Sequence, residues 1–149
     1  MDSLGKSCFF IGHRDAGPEV YPALVRVVEA HICQLGVQHF FVGHYGGFDR
    51  LAARAVLAAQ LRDPGVGLWL LLPYHPAEQP VEAPIGFSGT YYPPDMEGIP
   101  RRLAILQANR YMAAHVGYMI AYVRHPASNA AKLLDYARKL ETPPCITRL

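Results

Sequence analysis

The chain has 149 residues, 51% of them apolar and 17% charged, with a formal net charge of +2. That is the length of one ordinary domain with enough apolar matter for a core, which argues against disorder and leaves a nucleic-acid partner neither demanded nor excluded. Three scattered cysteines, Cys8, Cys33 and Cys145, form no CxxC pair; they argue against a disulfide framework or zinc knuckle, fit a reducing compartment, and are all expected to be small buried apolar residues.

Residues 7–11, "SCFFI", form a short apolar run ending at Gly12, which predicts a strand and is too short for a signal peptide. Residues 18–35 predict a helix with Val20, Leu24, Val27, His31 and Leu35 on one face. Pro18 and Glu19 suit its first turn, and Gly36 its stop. Residues 39–42 predict a second strand. A helix from Phe48 to Leu61 presents Leu51, Ala52, Ala55 and Ala59 and ends before Pro64-Gly65. The continuous run "GLWLLL", residues 67–72, reads as a central strand buried on both faces.

Residues 73–99 are proline-rich and aromatic with little periodicity. A loop of that length is expected to be a lid, ordered by Phe87, Tyr91 and Tyr92. From Pro100 to about His115 a helix is expected, with Leu103, Leu106, Arg110 and Ala113 in line. Residues 118–123 predict a fourth strand, Ser128 caps a helix running to about Leu140, and residues 144–147 suit a short edge strand. No apolar stretch reaches ~18 residues, so no membrane span is expected and the chain reads as cytoplasmic.

Alternating strands and helices imply an α/β fold: one domain over residues 1–149, with a Rossmann-like open parallel sheet of about five strands and helices on both faces. In such sheets ligands bind at the carboxyl ends of the strands. The four corners there are "GHRD" (Gly12, His13, Arg14, Asp15), "GHYGGFD" (Gly43 to Asp49), "PYHP" (Pro73 to Pro76, with Tyr74) and "RHPASN" (Arg124 to Asn129). Four of the seven histidines, His13, His44, His75 and His125, fall in these corners, whereas His31, His39 and His115 look ordinary.

Gly46 and Gly47 lack Cβ and would let the backbone approach a ligand, while the following helix offers free amides to a phosphate. Ser128 and Asn129 open a second helix in the same way. Each also has a plainer reading, a tight turn and a simple cap. Asp49 is unexpected in a pure anion site; it could stabilise the helix dipole, bond ribose hydroxyls or stabilise positive charge at an anomeric carbon. Arg14, Arg101, Arg102 and Arg110 could offset phosphate, although Arg101 and Arg102 also suit a solvated face. Arg110, on an apolar face, would be buried and paired with Asp49 or Asp15. No HxH, HExxH or HxxxH spacing occurs at the corners, so no metal is expected, and no cofactor is assigned.

The segment "VGHYGGFDRLAA" resembles the glycine-rich stretch, acidic residue and helix of the SLOG superfamily of Rossmann-like proteins, which includes the Smf proteins and the LOG enzymes. "FFIGHRD", "LLPYHP", "ANRYMAAHVGYMIAYV" and "SNAAKLLDYA" are most similar, in that order, to its YpsA-like branch. The resemblance spans about residues 8–140. It implies a nucleotide-type ligand held by Gly12, His13, Gly43, Gly46, Gly47 and Asp49, with Asn109, Arg110, Ser128 and Asn129 matching the branch's later positions. The PGGxGTxxE signature of the LOG enzymes is absent.

The foremost expectation is thus a sensor or binding module for a phosphate-bearing, nucleotide-like ligand, with Gly12, His13, Arg14, Gly43, His44, Gly46, Gly47, Asp49, Tyr74, Asn109, Arg110, Ser128 and Asn129 as ligand-binding residues. The alternative is an N-glycosidase or phosphoribohydrolase acting on nucleoside monophosphates. There Asp49, or Glu97 from the lid, would stabilise an oxocarbenium-like charge, and His13 or His44 would move a proton. A third reading is single-stranded nucleic-acid binding with Tyr91 and Tyr92 stacking on bases, against which stands the lack of a basic run. The apolar helices allow a homodimer.

Overall fold

A computed structural model describes residues 4–43 and 46–149. Six strands form one parallel sheet: β1 (Ser7–Gly12), β2 (His39–Val42), β3 (Gly67–Leu71), β4 (Gly89–Tyr91), β5 (Tyr118–Tyr122) and β6 (Cys145–Arg148). Four helices join them: α1 (Tyr21–Cys33), α2 (Gly47–Gln60), α3 (Ala104–His115) and α4 (Asn129–Arg138). The strand order β4-β3-β2-β1-β5-β6 makes this a Rossmann-like open sheet, with one strand more than expected.

Side chains of a strand point alternately to opposite faces. Cys8 and Phe10 therefore meet α1 and α2, with Phe40, Val42, Leu68 and Ile120 beside them. Phe9 and Ile11 meet α3 and α4, with Phe41, Leu71, Met119 and Ala121 beside them. The apolar runs thus supply two cores, one on each face.

β1 lies between β2 and β5, with Cys8 opposite both Phe40 and Tyr118. The chain leaves β1 toward β2, β3 and β4, then crosses back to β5 on its other side. The strand order reverses there, and a crevice opens beyond the strand ends.

Five expectations are corrected. Of the cysteines, Cys8 is buried in β1, but Cys33 at the end of α1 and Cys145 at the start of edge strand β6 are exposed. The lid is not structureless: Gly89–Tyr91 forms edge strand β4, pairing Trp69 with Gly89 and Leu71 with Tyr91. A three-residue strand among prolines and glycines is too short to show a period. β3, read as central, is next to that edge, and its Trp69 is only half-buried. On α3 the buried residues are Ala104, Ala108, Met112 and Ala113, while Leu103, Leu106 and Arg110 are exposed. Alanines let the helix approach the sheet closely, which the bulkier leucine row would prevent. On α1, likewise, Leu24, Val28 and His31 are buried, and Leu35 lies beyond the helix end and is exposed.

His31 is 2% exposed, and Nδ1 lies 2.8 Å from the carbonyl oxygen of Val27, so the neutral ring donates there. Burial pushes its pKa down, only partly countered by that bond. The unfolded chain therefore binds a proton, near pH 6.5, before the folded chain does. Stability is expected to fall as pH drops below about 6.5, levelling off below the folded pKa. His31→Leu should flatten that part of a urea-denaturation profile taken from pH 7.5 to 5, and an unchanged acid slope would contradict the assignment.

Candidate functional site

The crevice is a cavity of about 320 Å³ on the α3–α4 side of the carboxyl edge. The end of β1 and its loop contribute Gly12, His13 and Arg14; Gly43 enters just after β2; the first turn of α2 contributes Asp49. Pro73 enters after β3, Asn109 from α3, and Ser128 and Asn129 from the start of α4. The apolar wall is Leu71, Ile105, Ala108, Ala130 and Leu133, with Phe9 and Ile11 of β1; Phe10 borders the cavity too, but its side chain packs on the opposite face. This wall was missed because it depends on the true face of α3, where Ala104, Ala108 and Met112 recur every fourth residue.

Gly46 and Gly47 stand behind this cavity rather than in its lining. A Cβ on Gly46 would come within 2.6 Å of the Arg14 Cα, and one on Gly47 within 2.5 Å of the Ala16 carbonyl oxygen. The Gly47 amide donates to the Arg14 carbonyl at 2.7 Å, and the Phe48 amide to the His13 carbonyl at 3.2 Å. The close approach allowed by the two glycines is to the chain's own β1–α1 loop. The first amides of α2, expected to be free for a phosphate, are spent on that loop.

Gly12 has a similar role. A Cβ there would run into the Phe48 ring. Phe48 in turn stacks on Tyr122 at 5.9 Å and meets Phe10 edge-on at 6.3 Å. The exits of β1 and β5 and the start of α2 are locked together by one aromatic layer.

At the far wall Ser128 caps α4. Its Oγ accepts the Ala131 amide at 3.1 Å and donates to the His125 carbonyl at 2.7 Å. The amides of Asn129 and Ala130, in the first turn, have no intrahelical carbonyl to reach, and both residues line the cavity. Here the helix end that faces the cavity is that of α4.

His13 is buried. Its Nε2 accepts the Arg124 amide at 2.7 Å and the His125 amide at 3.3 Å. An amide N–H can only donate, so Nε2 carries a lone pair and the ring proton sits on Nδ1. Burial holds the pKa of His13 below its usual value; His125 and Arg124 press the same way, and Asp15 opposes them. The ring of His125 lies 4.4 Å from that of His13, and its Nε2 lies 3.9 Å from Asp15 Oδ2.

Other expected residues lie elsewhere. Tyr74 lies beneath the guanidinium of Arg101, 4.1 Å from the ring centre, and Arg101 also donates to Gln79 at 2.6 Å. Arg110 is exposed and rests over Tyr136 at 4.8 Å, so the buried, carboxylate-paired guanidinium expected there is corrected. Arg101 and Arg102 are exposed as well. Glu97 is outside the cavity lining, beside Tyr92, whose hydroxyl pKa is raised first by burial and then by that carboxylate. His75 is exposed, its Nδ1 accepting the Ala77 amide at 2.9 Å. His44 lies outside the described residues. Among the described residues, no three His, Cys, Asp or Glu side chains gather as metal ligands, and no helix is long and apolar enough to cross a membrane.

Compared with known proteins, the chain matches no family model and no curated protein.

The glycine pair yields a direct test. Gly47→Ala should lower stability by about 1–3 kcal/mol in chemical denaturation, because the added methyl meets two backbone carbonyls that cannot move independently. Gly65→Ala, where nothing lies within 4 Å of the added carbon, should change it by less than about 0.5 kcal/mol. Equal effects at the two positions would refute the packing role.

Proposed function

We propose that the cavity binds a small nucleotide-type ligand, in keeping with the resemblance to the YpsA-like branch of the SLOG superfamily. What supports this reading most is convergence. Separate segments after β1, β2 and β3, together with α3 and the start of α4, bring Gly12, His13, Arg14, Gly43, Asp49, Asn109, Ser128 and Asn129 around one cavity. Its volume, about 320 Å³, is at the lower end of the range of ligand sites, roughly 300–1,000 Å³.

The chemistry is mixed in the way such a ligand needs. Arg14 and the first-turn amides of α4 suit a phosphate. Asp49 and Asn109 suit sugar hydroxyls, and the Ile105, Ala108 and Leu133 wall suits a base or other flat apolar group. The proposed role is that of a sensor or binding module.

A hydrolytic reading is favoured by one feature: the carboxylate of Asp49 belongs to a residue lining the cavity. Water attack at an anomeric carbon would release free base, with Asp49 stabilising the developing positive charge. Glu97, placed beside Tyr92, is no longer a partner in this scheme.

The test is a thermal-shift and calorimetric panel of AMP, ADP, NAD and ADP-ribose. A ligand at about a hundred times its Kd should raise the melting temperature by about 5–10 °C. Asn109→Ala and Asp49→Asn should each weaken binding about tenfold or more, the worth of one good polar contact, with unchanged circular dichroism. A panel with no shift at all would end the proposal. Release of base from AMP, abolished in Asp49→Asn, would move the reading from binding to hydrolysis.

A further inference from the structure

We infer that His13 is an acid-sensitive latch: its unprotonated Nε2 holds the turn between β5 and α4 in place as a wall of the cavity, and protonation releases that turn. The ring spans a sequence distance of 111 residues to accept the Arg124 amide at 2.7 Å, and the His125 amide adds a second bond at 3.3 Å. The same turn carries Ser128, whose hydroxyl donates to the His125 carbonyl and which starts the α4 end facing the cavity. One imidazole nitrogen therefore fixes the segment that presents Ser128, Asn129 and Ala130.

Protonation inverts the contact. Nε2 becomes an N–H donor pointing at two N–H donors, so both bonds are lost together and a buried cation remains. The charged groups around it do not rescue that cation. From the turn come His125 and Arg124, and Arg148 of β6 bonds the neighbouring Val123 carbonyl; Tyr122 of β5 meets the His13 ring edge-on at 5.6 Å. From its own loop come Arg14 and Asp15, and from α2 Asp49. Arg124 is further held by the carbonyl oxygen of Leu149 at 2.7 Å. Asp15 favours the cation, but burial, His125 and Arg124 disfavour it. The latch therefore holds at neutral pH and opens below about 6.5.

The consequence for a nucleotide rests on the proposed function; the latch itself does not. The experiment follows the unliganded chain by ¹⁵N NMR and amide exchange from pH 7.5 to 5. Long-range ¹H–¹⁵N spectra should show His13 Nε2 without a proton at pH 7.5. As His13 protonates, exchange protection of the Arg124, His125 and Ala131 amides should fall at least about tenfold, while Phe9 and Met119 in the strands stay protected. His125→Gln should keep the release and move it to higher pH, because one group opposing the cation is gone. His13→Gln, which keeps an acceptor but cannot titrate, should abolish the pH dependence.

A proton on Nε2 at pH 7.5, or protection unchanged through the His13 titration, would overturn the latch, as would release that disappears in His125→Gln. Should no nucleotide of the panel bind at any pH, the proposed function falls while exchange alone decides the latch. Should one bind equally well on both sides of the His13 titration while exchange reports release, the turn is not a wall of the binding site and the inference fails.

Discussion

The carboxyl edge depends on how β1 ends. The strand is in the middle of the sheet, so its exit loop must turn between two occupied neighbours and leave no buried amide or carbonyl unpaired. Gly12 solves the steric half of the problem by letting Phe48 lie against the strand end. Gly47 and Phe48 solve the polar half by donating their amides to the Arg14 and His13 carbonyls. These helix-start amides need a partner in any case. The loop that carries His13 and Arg14 is thereby fixed from the α2 side, before any ligand is considered.

The other side of the same loop reaches β5. His13 is held twice, its carbonyl by α2 and its ring by the turn after β5. That double hold ties together the two strands between which the strand order reverses. α3 and α4 pack on the sheet through Ala104, Ala108 and Ala131, and Asn109 from the middle of α3 and Asn129 from the start of α4 line the cavity. On the opposite face Phe10, Phe40 and Phe48 fill the space against α1 and α2, with Phe10 and Phe40 stacked at 5.7 Å. The cavity lies on the α3–α4 face.

The strands with long apolar runs and the alanine-rich α2 were plain in the sequence, because burial on both faces leaves few other readings for "SCFFI" or "GLWLLL". Ser128 was plain too, since a cap is a local event between residues three apart. What the sequence concealed was relational. Leu103 and Leu106 are more apolar than Ala104 and Ala108, yet the alanines are buried; helix-to-sheet distance decides, and it is not written in any single residue. Gly46 and Gly47 were read as facing a ligand, when the object they approach is a loop more than thirty residues earlier in the chain. Arg110 and Tyr74 shared corners or helices with cavity residues but pair instead with Tyr136 and Arg101. The link between His13 and Arg124 could have been suspected only as two corners meeting at one edge.

Charge at the cavity narrows the readings further. Arg14 and Asp49 oppose one another in sign, the Nε2 of His13 is already occupied by the Arg124 amide, and Asn109, Ser128 and Asn129 are neutral. Such a lining selects by the direction of hydrogen bonds more than by net charge. A single-strand binder needs the reverse, an extended groove with repeated cations along the backbone path and aromatic platforms beside it. Tyr91 and Tyr92, the stacking candidates, are committed within the β4 region: Tyr91 meets Phe41 edge-on at 5.2 Å, and Tyr92 packs against His75 at 5.3 Å. The proposed ligand, a discrete molecule carrying both an anionic and a hydroxyl-bearing part, is in keeping with a small, nearly charge-balanced crevice that has one helix end turned toward it.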